Sequence, residues 1–155
     1  MKISKYNVAI LLVTAFILSA CASKPTDPQQ ELKDNMQVMR DEVTSNVVDP
    51  ERRKKILALS RVLETTLLSY KQAQADFASE FAELNRNYDT PRKRLEDVLV
   101  SFRSTRKQTM DKVIKLHFDM AALTTEDEWK HIVKHEVKAL KVAHELPQGQ
   151  SGELS

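Results

Sequence analysis

The chain has 155 residues, one cysteine, two glycines, and 24 Lys plus Arg against 22 Asp plus Glu, a formal net charge of +2. So small a basic excess argues against nucleic-acid binding, which needs Lys and Arg to displace counterions, and a lone cysteine excludes an internal disulfide or a thiolate metal cluster. Both glycines, Gly149 and Gly152, stand near the C-terminus, so the interior lacks the residue that hairpin turns and phosphate loops require, and an all-α fold is expected.

In chain order, Lys2 and Lys5 precede a run that is apolar from Val8 to Leu18 and closes with Leu18-Ser19-Ala20-Cys21. The run is too short to cross a bilayer as a mature helix. Its basic start, apolar segment, small residues and cysteine resemble the lipobox signal peptide of bacterial lipoproteins. That resemblance implies cleavage after Ala20 and lipidation of Cys21 with diacylglycerol and an amide-linked palmitate-like chain. Ala22, in place of an aspartate, implies the inner leaflet of the outer membrane, facing the periplasm. Several acyl chains anchor firmly where one is marginal, since each buried methylene contributes about 0.8 kcal/mol. Cleavage removes Lys2 and Lys5 and no acid, leaving 22 basic and 22 acidic residues and no net charge. The expected organisation is a signal peptide over 1–20, a lipidated tether over 21–27, a helical bundle over 28–146 and a disordered tail over 147–155.

Four helix starts punctuate the rest. Asp27 before Pro28, Asp49 before Pro50 and Thr90 before Pro91 each set a capping side chain ahead of a proline suited to the first helical position, and Thr125 with Glu128 reads as a capping box. Helices are predicted over 28–46, 50–87, 91–122 and 126–145. The first carries Leu32, Met36, Met39, Val43 and Val47 at steps of three or four. The second, roughly 60 Å long at the helical rise, shows a heptad in Ile56, Leu63, Tyr70, Phe77 and Leu84. The third has Leu95, Leu99 and Phe102, then Val113, Leu116 and Met120, with a polar gap over 103–109. The fourth is expected to bury Trp129, Ile132, Val133, Val137 and Leu140.

The short connection after Asn87 predicts an antiparallel hairpin of helices two and three in which residue numbers summing to about 179 face each other. Leu84 then meets Leu95, Phe81 meets Val98, Phe77 meets Phe102 and Leu63 meets Leu116. Gln74 meets Thr105, a polar layer of the kind that fixes register in a coiled coil. Helices one and four are half as long and are expected to cover the hairpin only to about Leu67 and Phe102. Beyond them Phe77, Phe81, Leu84, Tyr88, Leu95, Leu99 and Phe102 form a two-helix tip whose incompletely covered apolar surface is the candidate site for an envelope protein or a second copy of the chain.

Other candidates are weaker. Lys130, Lys134, Lys138 and Lys141 make helix four basic on one face, a pattern suited to anionic lipid or envelope glycan and equally to a solvated face. Glu128 and His131 form a Glu-x-x-His step with His135 one turn on; a di-metal bundle uses two such steps plus two further glutamates and only one step exists here, so no metal or other cofactor is expected. Arg52-Arg53-Lys54-Lys55 is expected beside Glu126-Asp127-Glu128, pairing within the protein. Leu123-Thr124-Thr125-Glu126-Asp127 is similar to the Leu-Thr repeat of Spy-type periplasmic helical chaperones but lacks its glutamine and occurs once, so that family is not assigned. No serine sits on a glycine elbow, and Glu96 and Asp97 point to different faces, so an enzyme is not expected. The expected role is a non-enzymatic, lipid-anchored structural or interaction adaptor of the cell envelope; the alternatives are the anionic binder and a metal-binding or chaperone-like stress protein.

Overall fold

The computed structural model describes residues 27–145; the expectations for the signal peptide, Cys21, most of the tether and the C-terminal tail fall outside them. The described residues form four helices, α1 (Pro28–Asn46), α2 (Pro50–Arg86), α3 (Arg92–Ala121) and α4 (Glu126–His144), joined by short turns, with no strand among them. The fold is an all-α bundle built on a long α2/α3 hairpin.

The helix starts follow from their capping chemistry. Asp27 Oδ1 accepts from the Gln29 amide at 3.0 Å, and Asp49 Oδ1 from the Arg52 amide at 2.7 Å. The Thr125/Glu128 box closes in both directions, at 3.3 and 2.7 Å. Each satisfies donors that a bare helix start leaves unpaired. The α3 start departs from expectation: Pro91 itself is the N-cap and has no side-chain cap. The Thr90 amide instead donates to the Asn87 carbonyl at 3.0 Å, while Asn87 Oδ1 accepts from the Asp89 amide at 3.0 Å. Thr90 is committed to closing the turn.

The core is continuous through the four-helix half. Leu32, Met36, Met39, Val43 and Val47 of the first segment meet Ile56, Leu63 and Leu67 of α2, Val113, Leu116 and Met120 of α3, and Ile132, Ala139, Val142 and Ala143 of α4. Full burial of a side chain of Leu, Ile or Met size contributes about 1.5–3 kcal/mol. A half-buried Arg40–Glu64 ion pair joins α1 to α2.

The buried line of α4 corrects the expected stripe. Ile132 is buried, but Trp129, Val133 and Leu140 are half-buried and Val137 is 56% exposed, while Glu136 is fully buried. The reason is how α4 packs. It lies chiefly on α1 and also against α2, rather than principally on α3. Ala139 and Ala143, one turn apart and both fully buried, present little side chain to hold the backbones apart, so α4 turns this narrow line inward. Its bulkier apolar line is left along the α3 side.

Candidate functional site

Two regions stand out: the hairpin tip and the α3/α4 flank. The base of the tip is marked by Lys71. Its Nζ, on a largely buried side chain, donates to the carbonyl of Val142 at 3.0 Å and to that of Glu145, filling the acceptors that end α4. Burial holds the Lys71 pKa below its ordinary value, against the opposing pull of Glu145. Gln74, one turn on, is 3% exposed with Oε1 unpartnered among the described residues. The expected polar layer is therefore largely dry on the α2 side, and Thr105 opposite is half-buried.

Beyond this layer only α2 and α3 continue. Phe77 and Phe102 stack face to face at 4.2 Å between centroids, as the predicted pairing requires, and Phe81 packs on Phe77 at 5.6 Å. Tyr70 links this stack to the four-helix part, lying 6.4 Å from Phe102 and edge-on to His144 at 5.9 Å. Phe77, Phe81, Leu84, Leu95 and Phe102 are half-buried, so they hold the two arms together as well as showing an edge to solvent. Tyr88, at the turn, is wholly exposed, and Leu99 is 40% exposed. On one face of the tip a groove of about 450 Å³ has Phe77, Val98 and Phe102 as its floor and Asp76, Glu80 and Asp97 at its edges. Arg94 pairs with Glu80 there at 2.9 Å.

The second region involves residues that the sequence reading missed. His117 of α3 reaches α4, its Nδ1 3.0 Å from Glu136 Oε2. Its ring stands edge-on to Trp129 at 5.1 Å and to Phe118 at 5.4 Å. Burial pushes the Glu136 carboxyl above the ordinary range, with His117 pulling it back. The second oxygen, Oε1, has no partner among the described residues. A signal existed in the sequence: Glu136 falls on the spacing of Ile132, Ala139 and Ala143. Around this pair Ile114 is 54%, Phe118 65% and Val137 56% exposed.

The lysines of α4 divide. Lys130 pairs with Glu126 at 2.9 Å and Asp127 at 3.4 Å, and Lys134 reaches Glu42 of α1 at 3.4 Å. Lys138 and Lys141 are exposed and have no carboxylate within 4 Å among the described residues. The weak metal candidates are not brought together. Glu128 is clasped by Arg52 at 2.8 and 3.0 Å and by the Thr125 amide, and these contacts, the Arg52 bonds first, hold its carboxyl below the ordinary range. His131 is exposed, whereas His135 is turned toward Glu42, Nε2 to Oε1 3.8 Å. No cluster of three metal-ligating side chains occurs among the described residues.

No family model, curated protein or solved structure matches the chain. None of the helices among the described residues is long and apolar enough to cross a membrane.

Proposed function

We propose that the protein is a lipid-anchored, non-enzymatic adaptor of the bacterial envelope, held by Cys21 at the inner leaflet of the outer membrane and presenting the hairpin tip to a protein in the periplasm. The supporting observation is the projection of α2 and α3 past the Lys71 layer as two helices alone, ending in a wholly exposed Tyr88. A two-helix rod has one seam and cannot cover its own apolar edge, so such an extension suits contact with another chain.

The test is site-specific photo-crosslinking in cells from Tyr88 and Leu99, with exposed Arg61 in the four-helix part as control. A defined adduct from the tip that is absent from Arg61 supports the reading; the same adducts from all three positions sink it. The anchor is tested separately by labelled palmitate, whose incorporation must disappear in Cys21→Ser.

A further inference from the structure

We propose that the α3/α4 flank is a second contact surface, one that lies on anionic lipid headgroups. It is distinct from the tip and carries its own apolar and charged features. Ile114 and Phe118 stand one turn apart on α3 and are more than half exposed, as is Val137 on α4. Phe118, His117 and Trp129 form an unbroken run of aromatic edges across the α3/α4 seam. Lys130 and Lys134 stand seven and three residues before Val137, and Lys141 four after it, so helical spacing gives them one face. Beyond the first turn, every exposed ionisable side chain of α4 is Lys or His, namely Lys130, His131, Lys134, Lys138, Lys141 and His144. Exposed aromatic and aliphatic groups bordered by lysines are the chemistry that enters the headgroup region of an anionic bilayer.

The position of the chain outside the structure favours a membrane over a soluble acidic partner. This part of the argument rests on the Cys21 anchor proposed above. In α1, Arg40 meets Glu64 of α2 and Glu42 meets Lys134 of α4. At equal helical rise, Asp27, which stands before Arg40 and Glu42 in α1, therefore lies level with about residue 77 of α2 and about five residues, roughly 7 Å, past the end of α4. The tether thus leaves near the waist of the molecule rather than at either end of it, about 12 Å along the axis from Lys141 and about 16 Å from Lys138. Six residues at about 3.5 Å each keep the waist within roughly 20 Å of the lipid. An anchor at the waist lets the rod lie along the bilayer, bringing the α4 lysines to the headgroups.

The chain contains one tryptophan, Trp129, and it stands in this seam. The test uses full-length protein purified from membranes and reconstituted into vesicles of bromine-labelled phosphatidylcholine, with or without bromine-labelled phosphatidylglycerol. The expected result is quenching and a blue shift of Trp129 emission only when phosphatidylglycerol is present. The combined change Lys134→Glu, Lys138→Glu and Lys141→Glu returns the signal to the neutral-vesicle level, with helicity unchanged. Equal quenching in both vesicle types, no effect of the triple change, or a shift that follows protein concentration rather than lipid overturns the proposal, the last pointing to a second copy. Flotation separates the anchor from the surface. A chain floating only with anionic vesicles supports the surface and rejects the anchor; one floating with both but unquenched supports the anchor and rejects the surface.

Discussion

Lys71 Nζ donates to the carbonyl of Val142, 3.0 Å away, and so ties the middle of the longest helix to the end of the last one. At this contact four helices become two. Hydrogen bonds from a charged donor contribute about 1.5–3 kcal/mol, and Lys71→Met removes two of them while retaining the apolar stem. Met does not incur the cost of burying a charge, which offsets part of the two lost bonds, so the expected result is a net loss of about 1–3 kcal/mol, with amide exchange accelerated first at residues 140–145. Uniform acceleration along the chain would show that Lys71 does not act on the α4 end.

Glu136 is a buried acid whose pKa is raised by that burial. A carboxyl that protonates more readily in the folded state favours folding below its unfolded pKa, and this contribution is lost as pH rises through the folded value. Glu136→Gln is therefore expected to raise the melting temperature at pH 8, with a gain that shrinks below about pH 4.5. Thermal melts across that range check the sign.

Glu128 runs the other way. Arg52 and the Thr125 amide hold its pKa down, so its contribution is present above the unfolded value and is lost as pH falls through the folded one. Glu128→Gln is expected to lower stability at pH 7 and to converge with the parent near pH 3. Denaturant titrations at the two pH values measure this.

The orientation of α4 is tested by neighbouring positions. Ala139→Leu forces a branched chain between α4 and α1 and is expected to cost about 1–3 kcal/mol. Val137→Ser, on the exposed flank, is expected to change stability by no more than about 0.5 kcal/mol. The order would reverse if the line of Trp129, Val133 and Val137 faced the core.

At the tip, Phe77→Ala breaks the stack with Phe102 and is expected to loosen the hairpin, seen as faster amide exchange over 74–105. Tyr88→Ala touches only the exposed turn and is expected to leave exchange unchanged while removing tip crosslinks. Loss of crosslinks from Phe77→Ala alone would move the contact from the turn to the stacked face.

Much of this architecture is local and therefore visible in the chain. Asp27, Asp49 and Thr125 act on amides two or three residues away, so their capping role needs no knowledge of the rest of the fold. The α2/α3 register was equally legible, because a short turn converts numbering into geometry, and Phe77 opposite Phe102 follows from it. Thr90 has the same sequence grammar but closes the turn instead, a choice made by the geometry of residues 87–90.

The helices, most of their caps, the hairpin pairing and the lengths of the shorter helices follow from the order of residues alone, since each depends on contacts within a helix or across one tight turn. Only the tertiary structure decided how α4 is rotated about its axis. That rotation depends on which neighbour it approaches, and the small Ala139 and Ala143 allow close packing on α1 that hydrophobicity alone would assign to Trp129 and Val137. The same rotation buries Glu136 against His117 and exposes Val137 beside the lysines, while the packing of α1 on α2 and α4 sets where α1 begins along the rod. Residues distant in sequence meet there through packing, and no periodicity within one helix encodes that meeting.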